Sequence, residues 1–153
     1  MIPAIVNADF PNATASGVPL AVVTVTYSPG EHLAQLIASL DAATTQPVHL
    51  ICADNGSTDG VPQRTAASLD NVVFLPTGGN VGYGAAINAA AASLAQRRRT
   101  GAIRDDYFLI VNPDVQFAPG SIDELLRCID AAPRAGAAGP RIEEADGSTY
   151  PSA

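Results

Sequence analysis

The sequence predicts an α/β fold, in which a mostly parallel sheet carries helices on both faces. Short apolar runs alternate along the chain with segments whose apolar residues recur every three or four positions, the pattern of strands that alternate with amphipathic helices. The connections are only a few residues long, which favours right-handed crossovers between parallel strands. The carboxyl ends of such strands form one edge of the sheet, and ligands bind along that edge.

Composition narrows the choice of partners. The 153 residues suffice for one domain with its own core. The net charge of −7, from 15 acidic residues and 8 arginines without any lysine, argues against nucleic acid. No apolar run approaches the roughly 18 residues of a membrane span, and the amino terminus lacks a signal-peptide pattern, so a cytoplasmic location is expected. Cys52 and Cys128 lack CxxC spacing and are expected to be buried thiols.

The predicted elements follow one another in strand and helix pairs. The first strand, Leu20 to Tyr27, is rich in β-branched residues and is broken by Ser-Pro-Gly before a helix that begins at Glu31. Pro47 closes the loop after that helix. Further strands are expected at Val48–Ala53, Val72–Leu75 and Tyr107–Asn112, helices at Val61–Leu69, Ala85–Arg97 and Pro119–Ala132, and a last strand or edge segment at Ala135–Ile142.

The chain is expected to have three regions. Residues 1–19 mix Pro, Asn, Ala, Thr, Ser and Gly with little periodicity and are expected to form a flexible amino-terminal arm outside the site. Residues 20–142 carry the strand and helix pattern and are expected to form the α/β domain. Residues 143–153 form a turn-rich tail.

The strand from Tyr107 to Asn112 organises the candidate site. It carries no charge and is rich in aromatic and branched side chains, which suits a strand buried on both faces of the sheet. Proline ends it, because proline has no N–H to donate and holds its predecessor in extended geometry. Asn112 and Asp114 are therefore expected just beyond the carboxyl edge, where a carboxylate suits a metal ion or a polar ligand.

Two further polar segments are expected at the same edge. Residues 54–60, Asp-Asn-Gly-Ser-Thr-Asp-Gly, follow the second strand and are rich in turn formers. Residues 77–84 are glycine-rich and precede an alanine-rich helix, so the backbone can approach a ligand closely and the helix start can offer N–H groups to an anion. Asn88 falls one turn into this helix.

Two common nucleotide sites are excluded. A dinucleotide fingerprint needs G-x-G-x-x-G directly after the first strand, where this chain has Tyr-Ser-Pro-Gly at residues 27–30. A Walker A loop needs a lysine, and the chain has none. The remaining hypothesis is a nucleotide held without a P-loop. Asp54 would accept a hydrogen bond from the base or ribose, and Asp114 would hold a hard cation against a diphosphate.

Four segments together resemble the inverting family 2 glycosyltransferases. They are VVTVTY at 22–27, ADNGSTDG at 53–60, NVGYGAAIN at 80–88 and LIVNPDV at 109–115. In order and spacing they are most similar to the bacterial rhamnosyltransferase branch, and the likeness covers the chain from about Leu20 to Pro151. The resemblance implies a GT-A fold, with a Rossmann-like nucleotide-sugar-binding half, and transfer of a sugar with inversion.

The resemblance also implies which residues bind the donor. Thr26 and Tyr27 would line the base pocket, and Asp54 would accept a hydrogen bond from the imide N–H of the base. The residues beside the nucleotide-sugar would be Asn80, Gly82 and Asn88.

The Asn-Pro-Asp turn stands where relatives carry Asp-x-Asp. Asp114 would there coordinate Mg²⁺ or Mn²⁺ on the diphosphate, with Asn112 beside it. Because this turn resembles the rhamnosyltransferase branch, the favoured nucleotide-diphospho-sugar is dTDP-rhamnose. The acceptor would be a saccharide or a polyprenyl-linked saccharide.

The chain departs from the family in two respects. Ser28 stands where relatives usually have Asn, a change that is expected to be tolerated. Relatives also continue well beyond this length, and their continuation supplies the general base and most of the acceptor site. The resemblance therefore implies a donor-binding portion that transfers sugar weakly or not at all. With a lipid-linked acceptor, the full-length protein would work at the inner membrane face in cell-wall or polysaccharide biosynthesis.

Other interpretations stay open. A nucleotidyltransferase shares a Rossmann-like core, but its usual glycine-rich phosphate loop with a basic residue is missing after the first strand. A non-catalytic nucleotide- or sugar-binding module, or a scaffold that interacts through its apolar edge, would not need a metal. Asp54 and Asp114 are also ordinary turn residues, and Asp59 is the better candidate to cap the helix that follows.

Overall fold

The computed structural model describes residues 17–104, 106–144 and 146–150, so the expected amino-terminal arm lies almost entirely outside the described residues. The strands are β1 (Leu20–Thr26), β2 (Val48–Asp54), β3 (Val72–Pro76) and β4 (Phe108–Val111). They form one parallel sheet in the order β3-β2-β1-β4. Each strand begins and ends within one residue of its predicted bounds, which confirms the predicted α/β class.

The helices also follow the predicted order. They are α1 (His32–Ala43), α2 (Val61–Ser68), α3 (Tyr83–Arg99) and α4 (Ser121–Asp130). The apolar stripe of α1 is buried at Leu33, Leu36, Ile37 and Leu40, because these residues share one face at 3.6 residues per turn. Three arginines occupy the last turn of α3, where cations favour the negative end of the helix dipole.

The direction of the crossovers decides which face each helix covers. The chain steps from β1 to β2 to β3 in one direction and then returns past them to β4. Right-handed crossovers in opposite directions place their helices on opposite faces. In agreement, α1 packs on Leu20 and Val22, whereas α3 packs on Ala21 and Val23. The strand order reverses between β1 and β4, the position where open α/β sheets form ligand-binding crevices.

Strand β1 lies at the centre of the core. All seven of its residues are buried, because it has a strand on each side and helices above and below. Burying a branched side chain such as Val22 or Val23 contributes about 1.5–3 kcal/mol. A charged residue at either position would place an unpaired charge in this core, which makes β1 the strand least tolerant of substitution.

The burial predicted for β4 is wrong for the described part of the chain. Only Val111 is buried, and Ile110 is 44% exposed. Within the described residues β4 pairs on one side only, with β1, and α3 packs mainly over β1 and β2. The apolar composition of this strand therefore predicted its type correctly and its burial incorrectly.

Two other expectations need correction. Residues 135–142 form no strand and are exposed, and a single antiparallel bridge joins Glu143 to Thr149. This segment is rich in Ala, Gly and Pro, which have low strand propensity. Cys52 is a buried thiol as predicted, but Cys128 is exposed on α4. Among the described residues, no helix combines the length and hydropathy that a membrane-spanning helix needs.

Candidate functional site

The strand register brings the predicted polar segments to one edge. Thr26 at the end of β1 pairs with Asp54, which pairs in turn with Pro76. On the other side of β1, Thr24 pairs with Val111. Extending that pairing by two residues brings Pro113 level with Thr26. The loops at 54–60, 77–84 and 112–115 therefore all leave the sheet at its carboxyl edge.

Asp54 is the most constrained side chain of this edge. It is 3% exposed, and its carboxylate accepts four hydrogen bonds from the chain itself. Thr26 Oγ1 (2.7 Å) and the Ser57 hydroxyl donate to Oδ1, and the N–H groups of Gly56 (3.2 Å) and Ser57 (3.0 Å) donate to Oδ2. Because an ionised carboxylate offers about four acceptor positions, these bonds fill them.

The same bonds keep Asp54 charged. Burial on its own raises the pKa of the carboxyl group, but the hydrogen bonds from Ser57, Thr26 and the two backbone N–H groups outweigh it and lower the pKa below its ordinary value. Burial, together with the negative charge of Asp54, raises the pKa of Cys52 to about 12. The Cys52 thiol therefore stays protonated at neutral pH and is no nucleophile.

Ser28 ties the end of β1 to the loop after β2. Its N–H donates to Ser57 Oγ (2.8 Å), and the N–H of Thr58 donates back to Ser28 Oγ (3.0 Å). Ser28 has φ 53°, the left-handed region. The two loops are therefore joined by hydrogen bonds that run in both directions.

Asp59 adds a further link between these loops. One carboxylate oxygen accepts from the N–H of Gly30 (3.0 Å), and the other accepts from the N–H of Val61 (3.0 Å). Val61 is the first residue of α2, whose initial N–H groups have no partner within the helix. Asp59, rather than Asp54, is therefore the carboxylate that satisfies the start of this helix, as predicted.

Thr77 joins the end of β3 to the same loop. Its N–H donates to the carbonyl oxygen of Asp54 (3.0 Å). Its hydroxyl lies within hydrogen-bond distance of the carbonyl oxygens of Asp54 (2.8 Å) and Gly79 (2.7 Å) and of Asn55 Oδ1 (2.9 Å). Asn55 is itself only 4% exposed. The glycine-rich segment is therefore anchored to the Asp54 loop at its first residue.

That segment leads into α3 without a side-chain cap. Gly82 precedes the helix at φ 87°, a conformation that favours glycine. Asn80 Oδ1 accepts from the N–H of Gly82 (3.1 Å) and so shapes the turn. The first-turn N–H groups of α3 receive no side-chain cap, which is the arrangement of an anion-binding helix start. Asn88 is exposed one turn further on.

Asn112 and Asp114 lie beyond the end of β4. The N–H of Val115 donates to the carbonyl oxygen of Asn112 (3.3 Å), which closes a turn around Pro113 and Asp114. Both polar side chains are exposed. Within the part of the chain that the structure describes, the Asp114 carboxylate has no hydrogen-bond or ion-pair partner. Its acceptor positions are thus available to a ligand.

The residues present fit a metal that is bound chiefly through a ligand. Within residues 17–104, 106–144 and 146–150, no three His, Cys, Asp or Glu side chains gather into a metal site. Mg²⁺ usually takes one or two carboxylates together with phosphate oxygens and water, rather than a cage made by protein alone. The exposed Asp114 carboxylate satisfies that requirement.

The amino edge of the sheet has a different chemistry. An open cleft of about 280 Å³ lies there and is lined in part by Ile103, Arg104 and Asp106. Arg104 forms an ion pair with Asp106 and donates to Gln46 Oε1 (2.7 Å). The ion pair between Arg104 and Asp106 neutralises two of the charges that line this cleft. Asp106 lies at the end of the sheet opposite to Asp114, and its neighbour Asp105 lies outside the described residues.

The site residues that the sequence predicted at this edge include both exposed and buried side chains. Tyr27 and Asp114 are exposed, whereas Thr26 is buried with its hydroxyl on Asp54. The residues that hold the edge together were missed; they are Ser28, Asn55, Ser57 and Thr77. The available signal was the density of short hydroxyl and amide side chains at three strand ends, since such side chains bond to nearby backbone.

These features define an α/β domain whose carboxyl edge suits a phosphorylated ligand. The sequence profile of the family described as "Glycosyl transferase family 2" matches residues 21–151, which is most of the chain. The chain therefore belongs to glycosyl transferase family 2, and the resemblance seen in its motifs is confirmed.

Two curated relatives share more than the family. Both are named N-acetylglucosaminyl-diphospho-decaprenol L-rhamnosyltransferase and come from strains of Mycobacterium tuberculosis. Each is 52% identical to this chain over 136 residues, a stretch that covers 88% of this chain and 44% of the relative. The chain thus spans less than half the length of these relatives.

Solved structures support the fold. Two crystal structures of S. aureus TarS superpose with TM-scores of 0.55 and 0.54 at 19% identity. The match covers 74% of this chain and 32% and 20% of the respective solved chains. It confirms the predicted GT-A fold.

Proposed function

We propose that this chain is the donor-binding part of a glycosyltransferase and holds a nucleoside-diphospho-sugar at the carboxyl edge of its sheet. The observation that carries the proposal is the pair of carboxylates at that edge. The acceptor positions of the Asp54 carboxylate are filled by Thr26 and by its own loop, whereas Asp114 has no partner among the described residues. One carboxylate would shape the base pocket, and the other is available to a cation. Membership of glycosyl transferase family 2 supports this assignment.

The base would lie against the end of β1. Tyr27 is 65% exposed, so its ring offers a flat surface for stacking. Thr26 is buried and would act through Asp54 rather than by touching the ligand. The sequence predicts that Asp54 accepts from the imide N–H of the base. Because the acceptor positions of Asp54 are filled, one donor, such as the half-buried Ser57 hydroxyl, would have to yield its place.

The diphosphate would lie between Asp114 and the start of α3. Uncapped N–H groups at a helix start attract an anion, and Asn80 and Gly82 shape the backbone that leads to them. Asp114, with Asn112 beside it, would hold Mg²⁺ or Mn²⁺ against the phosphates, where such an ion offsets the charge on the leaving diphosphate. Asn88 would lie beside the sugar.

The relatives support a finer assignment for the whole protein. Their name specifies L-rhamnosyl transfer to N-acetylglucosaminyl-diphospho-decaprenol. We accordingly assign dTDP-rhamnose as the donor and a polyprenyl-linked saccharide as the acceptor. In this proposal residues 20–142 form the donor-binding unit, and a continuation supplies the general base and most of the acceptor site. The chain alone then binds nucleotide but transfers sugar weakly or not at all, and the longer protein works at the inner membrane face.

Calorimetric titration with dTDP, UDP and GDP, each in Mn²⁺ and in EDTA, tests the proposal. One nucleotide should bind in Mn²⁺ and at least tenfold more weakly in EDTA, a difference of about 1.4 kcal/mol. Equal affinity in both solutions would show that nucleotide binding needs no metal, and it would favour a nucleotide-binding module. Absence of binding by all three nucleotides would contradict donor binding itself.

A further inference from the structure

Ser28 has an unusual backbone conformation at the end of β1. Among the described residues it alone combines a side chain with a positive φ, at 53°. In this region the Cβ atom comes close to a carbonyl oxygen, so most residues that have a side chain are disfavoured. Glycine adopts the conformation freely, and Asn and Asp tolerate it better than other residues do. Such a conformation persists where the surrounding contacts enforce it, and it occurs often at functional sites.

The enforcing contacts come from the loop after β2. Ser28 N–H donates to Ser57 Oγ (2.8 Å), and Ser28 Oγ accepts from the N–H of Thr58 (3.0 Å). The two hydroxyl groups of Ser28 and Thr58 also lie 3.3 Å apart. Both the backbone and the side chain of Ser28 are therefore held by the same loop.

These contacts link Ser28 to both walls of the proposed base pocket. The Ser57 hydroxyl that accepts from Ser28 N–H also donates to Asp54 Oδ1, so one hydroxyl connects the backbone of Ser28 to the carboxylate. Tyr27 immediately precedes Ser28 and is exposed. The left-handed turn at Ser28 therefore sets the direction in which the chain leaves Tyr27.

We propose that Ser28 is a positioning residue of the nucleotide pocket. Its left-handed conformation and its hydrogen bonds to Ser57 and Thr58 hold the ring of Tyr27 in a fixed relation to the Asp54 loop. Ser28 acts through these neighbours and does not itself touch the nucleotide. This inference rests on the proposed function, since it assigns Ser28 to the site where the base would lie.

Three variants separate positioning from a merely structural role. Ser28→Gly removes the backbone strain together with the hydroxyl, so its free energy of unfolding should equal or exceed that of Ser28→Ala. Both should nevertheless bind dTDP in Mn²⁺ about five- to tenfold more weakly than the wild type, because Thr58 N–H loses its acceptor. Ser28→Asn should bind within about twofold of the wild type, since Asn tolerates left-handed φ and carries a side-chain acceptor.

Ser68→Ala is the matched control. It removes another exposed serine hydroxyl, which donates to the carbonyl oxygen of Arg64 on α2 (2.9 Å), and it should leave dTDP affinity unchanged. Wild-type affinity in Ser28→Ala and Ser28→Gly, whatever their stability, would overturn the positioning role alone. If the wild-type chain binds no nucleotide, the proposed function and this inference fail together.

Discussion

The 54–60 loop and the 112–115 turn lie at the same edge of the sheet, yet their carboxylates have opposite environments. Asp54 is buried and accepts four hydrogen bonds from its own chain. Asp114 is exposed and has no partner among the described residues. The first region is organised before any ligand arrives, whereas the second keeps its charge available. The proposed site assigns the base to the first region and the diphosphate to the second.

The largest expected effect comes from a substitution that removes the hydrogen bonds of the 54–60 loop. Asp54→Ala leaves four donors without their acceptor, two of them backbone N–H groups. We expect the free energy of unfolding to fall by about 3 kcal/mol, because hydrogen bonds to charged groups are strong and buried donors are costly to leave unpaired. Urea denaturation measures this change, and a loss below about 1 kcal/mol would show that the loop does not depend on Asp54.

The corresponding substitution in the 112–115 turn should leave the stability of the fold unchanged and remove the dependence of nucleotide binding on metal. Asp114→Asn keeps the shape of the side chain and removes the charge. Unfolding free energy should stay within about 0.5 kcal/mol of the wild type, as is usual for an exposed substitution. The affinity for dTDP in Mn²⁺ should fall at least tenfold, toward the wild-type value in EDTA. Retained Mn²⁺-dependent affinity would assign the cation to a different residue.

A third variant separates stability from binding. Asp123 joins α4 to the end of α1 by accepting from Thr44 Oγ1 (2.6 Å) and from the N–H (3.0 Å) and hydroxyl (3.0 Å) of Thr45. This contact lies at the amino edge, because α1 ends there before β2 begins. Asp123→Ala should lower unfolding free energy by about 1–2 kcal/mol and leave dTDP affinity unchanged. Weaker binding in this variant would mean that affinity merely follows stability.

The smallest expected effect is a change in how the unfolding free energy depends on pH in acid. The pKa of Asp54 in the folded protein lies below its ordinary value of about 3.9. The hydrogen-bonded carboxylate therefore contributes stability above that pH, and the contribution is lost as pH falls through the folded-state pKa. Asp54→Ala should thus show a flatter dependence of unfolding free energy on pH below about 4 than the wild type. Identical slopes would show that Asp54 is not stabilised as an anion.

The sequence predicted the strand ends well and their internal contacts poorly. Asp54 and Asp114 both lie at the predicted edge, since a short apolar run and the turn residues or proline after it indicate where a parallel strand stops. The hydrogen bonds to Asp54 Oδ1 come from Thr26, 28 residues earlier in the chain, and from the Ser57 hydroxyl in the loop after β2. The Thr26 contact has no local pattern, because it joins residues that are far apart in the chain. The sequence equally did not indicate that Ile110 on β4 would be exposed, because an apolar run has the same appearance at a centre and at an edge.

The most direct test locates the metal. Nuclear magnetic resonance of the 15N-labelled chain, with a trace of Mn²⁺ and saturating dTDP, shows which amide signals broaden. We predict broadening at residues 112–115 and 80–84 that requires the nucleotide and is lost in Asp114→Asn. Broadening centred on Asp106 at the amino edge, or unchanged in Asp114→Asn, would contradict a donor site at the carboxyl edge.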